Sequence, residues 1–129
     1  MDKILYIDDE PNNLKVFQML FLEHFTVFVA NNTAQGYQFL LKEEISVVIT
    51  DQRMPNESGL DFIERVQSEF PEVVFMILSG YSDFEITIKA INSGHVYRFI
   101  QKPWQEKELL IDINNAIERY KFLKQNKQL

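Results

Sequence analysis

The stretch Ile45-Ser46-Val47-Val48-Ile49-Thr50-Asp51 decides the fold. From Ile45 to Thr50 it is a nearly unbroken apolar run, and it ends on a carboxylate. A strand with one wet face alternates apolar and polar residues, whereas a strand covered on both faces does not. The run therefore predicts a third strand deep in a sheet with helices on either side. Four similar runs accompany it: Lys3 to Ile7, Thr26 to Ala30, Val73 to Leu78 and Tyr97 to Ile100.

Segments of helical period fill the gaps. Pro11 suits the first turn of a helix whose apolar stripe is Leu14, Phe17, Leu20 and Phe21. Asn31 or Asn32 is the expected N-cap of a second helix carrying Tyr37, Leu40 and Leu41. Asp51 to Ser58 reads as a loop, followed by a helix with Leu60, Ile63 and Val66 on one side. Ser82 and Glu85 have the spacing of a capping box, and Gly94 offers the fourth helix a left-handed stop. The last helix runs from about Gln105 and carries Leu109, Ile113, Ala116, Ile117, Tyr120 and Leu123. Strict alternation with short connections predicts an α/β fold, a doubly wound five-stranded parallel sheet with five helices.

Bulk properties narrow the function. A chain of 129 residues is enough for one domain with a real core and too short for two. Its formal charge of −6 argues against direct binding of nucleic acid, which needs a clustered basic surface. The lysines near the C-terminus are interrupted by glutamines and read as a solvated helix face. With no cysteine there are no disulfides or thiolate metal sites, which fits a reducing cytoplasm. Met1-Asp2-Lys3 carries no signal-peptide pattern, and no apolar run approaches membrane-spanning length. A soluble, cytoplasmic protein is expected.

Parallel sheets place their ligands outside the carboxyl ends of the strands. Strand one ends in Asp8 and Asp9, strand three in Asp51, strand four in Ser79, and strand five runs into Lys102. Any one of these alone is an ordinary turn residue. Together they bring three carboxylates, a hydroxyl and an ammonium to one edge. Two carboxylates ~4 Å apart repel by about 4 kcal/mol at an effective dielectric of 20, so stability alone would not gather three. Lys102 offsets one charge, and a divalent cation would balance the rest. Oxygen-only ligands point to Mg²⁺ or a similar hard cation such as Mn²⁺.

Four segments carry a family resemblance. Ile7-Asp8-Asp9-Glu10-Pro11, Val48-Ile49-Thr50-Asp51-Gln52-Arg53-Met54-Pro55, Ile77-Leu78-Ser79-Gly80 and Phe99-Ile100-Gln101-Lys102-Pro103-Trp104 resemble the signature set of bacterial response-regulator receiver domains. They occur in the family's order and cover nearly the whole chain. The resemblance implies a flavodoxin-like strand order of 2-1-3-4-5. It implies a receiver over residues 1–120, with 121–129 extending the last helix toward an output domain. Asp51 is then the phosphoacceptor. Asp9, Asp51 and the backbone carbonyl of Arg53 ligate the cation, with Asp8 acting mainly through water. Ser79 and Lys102 contact phosphoryl oxygens, the N–H groups of Arg53 and Gly80 complete the cradle, and Phe99 is the switch aromatic. Arg53 and Tyr81 flank the site and tune hydrolysis. The Lys102–Pro103 peptide bond is expected to be cis.

The same resemblance implies a sensor histidine kinase or phosphotransfer protein as donor. It implies an output domain or partner on the face made by the fourth helix, fifth strand and fifth helix. Ile113, Ala116, Tyr120 and Leu123 fall at near-heptad spacing, which adds a phosphorylation-dependent homodimer to the expected partners. His24 and His95 lie away from the active edge, the phenylalanines follow core periods, and Trp104 is expected to pack at a helix start.

Other classes fit less well. An aspartate-nucleophile phosphatase needs a second Asp two residues after the nucleophile, where this chain has Arg53. A flavin carrier needs a phosphate loop after strand one, where Asp8-Asp9-Glu10 would repel a phosphate. A receiver-like interaction module that is never phosphorylated remains as the alternative.

Overall fold

The run ending at Asp51 is buried at every position from Val47 to Asp51. A computed structural model describes residues 1–80 and 83–127, with 84, 86, 87 and 127 described by backbone alone. The strands are β1 (Lys3–Ile7), β2 (Thr26–Ala30), β3 (Val47–Asp51), β4 (Val74–Ser79) and β5 (Arg98–Gln101). The helices are α1 (Pro11–Phe21), α2 (Thr33–Lys42), α3 (Gly59–Val66), α4 (Phe84–Ser93) and α5 (Glu106–Lys127). All four strand pairings are parallel, in the order β2-β1-β3-β4-β5.

Period-two alternation divides the interior into two cores. Ile4, Tyr6, Val47, Ile49, Val74, Met76 and Leu78 face one way, toward Phe17 and Phe21 of α1 and Leu109, Ile113 and Ala116 of α5. Leu5, Ile7, Val48, Phe75 and Ile77 face the other way, toward Leu40 of α2, Leu60, Phe62 and Ile63 of α3, and Ala90 of α4. A strand whose alternate residues both meet helices has no wet face, which is why β3 lacks polar alternation. Trp104 packs edge-on to Phe17, with ring centroids 6.3 Å apart, as expected of a residue at a helix start.

Local chemistry sets the helix ends. Asn32 caps α2, its side chain accepting from the Gln35 N–H at 2.8 Å, and Ser58 caps α3 in the same way. Gly94 ends α4 with φ 76°, the left-handed conformation that a residue without Cβ adopts freely. The capping box expected from Ser82 and Glu85 involves a residue, Ser82, outside the described ones. The N-cap is Asp83, without a side-chain cap bond, because its carboxylate is engaged elsewhere.

Three expectations need correction. Leu41 is exposed, and Gly36 and Leu40 are the buried residues of α2. β4 reaches Ser79 and β5 reaches Gln101, because those two residues still pair although neither is apolar. The near-heptad row of α5 faces its own domain: Ile113 and Ala116 are buried, and Tyr120 and Leu123 pack against the same core. Lys124 pairs with Glu44, which holds the helix to the domain past residue 120. Among the described residues no helix is long and apolar enough to cross a membrane.

Candidate functional site

Strand pairing aligns the ends of β1, β3, β4 and β5. Past the last rungs, Gln52 N–H donates to Leu78 O at 3.0 Å and Lys102 N–H donates to Ser79 O at 2.8 Å. These bonds fix where Asp51, Ser79 and Lys102 leave the sheet. Asp8, Asp9 and Asp51 each offer a carboxylate oxygen, and the three oxygens lie within 4.8 Å of one another. Asp8 and Asp51 are buried, and Asp9 is the more exposed of the three.

Each carboxylate has a different setting. Asp8 is held by three donors: Tyr6 OH at 2.6 Å, Glu10 N–H at 2.9 Å and the Asn13 side-chain amide at 3.1 Å. Burial and the Asp8 carboxylate push the Tyr6 hydroxyl far above its ordinary value, so it remains a donor. Asp51 Oδ1 lies 2.5 Å from Lys102 Nζ. Burial pushes the Asp51 carboxyl above the usual range despite the lowering effect of Lys102, and Asp8 and Asp9 add to the rise. Three carboxylates gathered around one lysine leave negative charge that a further cation would balance. Three hard oxygen donors at this spacing fit a hard divalent cation, and no softer ligand is among them.

Next to the carboxylates, Ser79 Oγ is buried and has no hydrogen-bond partner among the described residues. Such a hydroxyl is rare in a folded protein and marks a place where an acceptor or donor is expected. Gly80 follows it, and a Cβ built there meets no atom within 4 Å, so the space beside its peptide is open.

The structure thus brings Asp8, Asp9, Asp51 and Lys102 together and places Ser79 at the end of the strand beside β3. Phe99 is not part of this cluster; it is half-buried against the second core. The Arg53 side chain runs to Asp83 instead, with Nε–H donating to Oδ1 at 2.8 Å. Tyr81 lies outside the described residues. The Lys102–Pro103 bond is cis, as expected. His24 is exposed and His95 pairs with Glu64, both away from the carboxylates.

Four contributors escaped the sequence reading. Tyr6 and Asn13 orient Asp8; the alternation of β1 gave Tyr6 a core place but no hint of its hydroxyl's partner. Gly59 packs beneath the acid, and a Cβ there would lie 2.5 Å from the Asp51 carbonyl oxygen. Its place one residue after the cap Ser58 was the available signal. Asp83 binds both Arg53 and Gly80, a convergence visible only in three dimensions.

An open parallel sheet with an acidic centre outside its strand ends defines a doubly wound α/β domain with a carboxylate cluster that could hold a cation. A family model described as the response regulator receiver domain matches residues 4–114, and the chain belongs to that family. It is 35% identical over 122 residues to the hydrogenase transcriptional regulatory protein HoxA of Bradyrhizobium diazoefficiens, covering 95% of this chain and 25% of HoxA. HoxA of Cupriavidus necator is 32% identical over 115 residues, covering 89% of this chain and 24% of that protein. The chain therefore spans about a quarter of the length of these relatives. The crystal structure of a receiver domain protein from Clostridium thermocellum is 33% identical and superposes with a TM-score of 0.89, over 95% of this chain and 99% of that one.

Proposed function

We propose that this receiver accepts a phosphoryl group on Asp51 from a phosphohistidine of a sensor histidine kinase or phosphotransfer protein. One observation carries the reading: Asp51 is buried, paired with Lys102 and grouped with Asp8 and Asp9. In the transfer the P–N bond to the donor histidine breaks and a P–O bond to an Asp51 carboxylate oxygen forms. The released electron pair stays on the imidazole nitrogen, which takes up a proton.

Asp9, Asp51 and the Arg53 carbonyl would hold Mg²⁺ (or Mn²⁺), with Asp8, already committed to three donors, reaching it through water. When bound, the ion neutralises negative charge that would otherwise repel the donor. Lys102 holds one phosphoryl oxygen, and Ser79 supplies its unused hydroxyl to another. The N–H groups of Arg53 and Gly80 complete the cradle. Water later cleaves the acyl phosphate to the Asp51 carboxylate and inorganic phosphate, at a rate that Arg53 tunes from the flank.

The readout runs through the α4–β5–α5 face. Ser79 and Phe99 lie on the two neighbouring strands β4 and β5, so drawing them toward the phosphoryl group repacks what α4 rests on. Ile88 and Ile91 on α4, Tyr97 at the entry to β5 and Ile111 on α5 are exposed apolar side chains suited to an output domain, a partner or a second copy. Raising an active state from about 1% to about 50% takes only ~2.7 kcal/mol. Residues 1–120 form the receiver and 121–129 lead toward an output domain, in a cytoplasmic protein.

Incubation with a small acyl-phosphate donor and Mg²⁺ should add one phosphoryl mass. Asp51→Asn or excess chelator should abolish the gain. Equal labelling of the variant overturns the assignment to Asp51, and no labelling of the native chain favours an interaction module that is never phosphorylated.

A further inference from the structure

Asp83 is buried, yet the phosphoacceptor reading gives it no task. Its carboxylate does not cap α4. Instead Oδ1 takes the Arg53 guanidinium, at 2.8 Å from Nε and 2.7 Å from the terminal nitrogen. Oδ2 takes the Gly80 N–H at 3.3 Å. Arg53 lies two residues after Asp51 and Gly80 one residue after Ser79, so a single buried acid ties together the two loops that flank the acceptor.

The two arms are unequal. The contacts to Arg53 have the length of charge-assisted hydrogen bonds, whereas that to Gly80 is long for one. Gly80 N–H is therefore the arm released most readily. Open space lies beside the Gly80 peptide. A phosphoryl group on Asp51 carries about −1.5 to −2 charges and three strong acceptor oxygens, which makes it the stronger competitor for that donor.

We propose that Asp83 is a positioning residue that latches the resting receiver. It withholds the Gly80 N–H from the phosphoryl site until the phosphoryl group outcompetes it. Because Asp83 is also the residue from which α4 starts, release of Gly80 changes the anchorage of the first turn of α4. The latch rests on Asp51 being the phosphoacceptor, and it sets how rarely the unphosphorylated chain visits its active arrangement.

The test is a titration of the whole chain with beryllofluoride, an acyl-phosphate mimic, in the presence of Mg²⁺. Asp83→Asn keeps shape and loses charge, and should bind the mimic about tenfold more tightly, a change of ~1.4 kcal/mol. Asp83→Ser removes the charge and the reach to Arg53 and Gly80 while placing a favoured helix-capping residue there, and should tighten binding in the same direction. Without mimic, the Gly80 amide resonance of either variant should already lie part of the way toward its mimic-bound position. A merely structural Asp83 predicts weaker or unchanged binding and an unmoved resonance, and either result in folded variants overturns the latch alone. If neither variant folds, the native chain decides: a Gly80 amide resonance that does not move on mimic binding overturns the latch. Failure of the native chain to bind the mimic overturns the phosphoacceptor reading and the latch with it.

Discussion

On one side of β4 lies β3, buried at all five positions; on the other lies β5, four residues long, with Arg98 and Gln101 exposed and Phe99 and Ile100 half-buried. The proposed acceptor stands at the end of the first; the second carries the proposed switch aromatic and runs directly into the proposed lysine. A strand covered on both faces cannot shift without opening two cores, whereas an edge strand with few buried groups moves at small expense in free energy. The difference teaches a division of labour. On the proposed function, β3 presents Asp51 in a fixed place, and β5 supplies what responds to it.

Truncations on the two strands should separate them most widely. Ile49→Ala on β3 removes a fully buried side chain and should lower unfolding stability by roughly 2–5 kcal/mol. Phe99→Ala on β5 should lower it by only about 1–2 kcal/mol, despite the larger side chain. Equal losses in denaturant titrations would erase the proposed contrast. Gly59→Ala tests the fixed side from below. Its Cβ would press on the Asp51 carbonyl, and a shift there should cost about 1–3 kcal/mol and weaken Mg²⁺ binding together. Loss of stability with native metal affinity would show that Asp51 is less rigidly seated than β3 implies.

The smallest effect concerns pH. Burial raises the folded-state pKa of Asp51 above its unfolded value, so the folded chain holds that proton more firmly. Its contribution is fully present below the ordinary carboxylate range and is lost as pH rises through the raised folded value. In chelator, Asp51→Asn should therefore gain stability relative to the native chain as pH rises across and above the ordinary carboxylate range. An advantage that does not grow across that span would mean Lys102 compensates the acid completely.

Much of this architecture was legible from the chain because burial on two faces leaves an apolar run along most of β3 and β4. The acidic edge was legible for a related reason: strand ends are easy to locate, and parallel strands end together. Boundaries were less so, since Ser79 and Gln101 belong to strands through pairing and not through composition. What escaped were second partners. Nothing local to Tyr6, Asn13 or Asp83 says that a hydroxyl, an amide and an acid will meet Asp8, Arg53 and Gly80. The inward turn of Tyr120 and Leu123 also needed the body of the domain, because a heptad row looks the same whether it faces a partner or its own core.

The brevity of β5 also governs how copies of the molecule keep apart. Its outer edge leaves backbone donors and acceptors to water, and such an edge can recruit strands from neighbouring chains into growing sheets. Four residues offer too short a ladder for that growth. Arg98 at the head of the strand, 3.3 Å from Asp112, puts charge where a foreign strand would begin to pair. Pro103, two residues past the end, has no N–H with which to prolong the ladder. The short strand proposed to respond to phosphorylation is thus also a poor template for strand addition at its edge of the sheet.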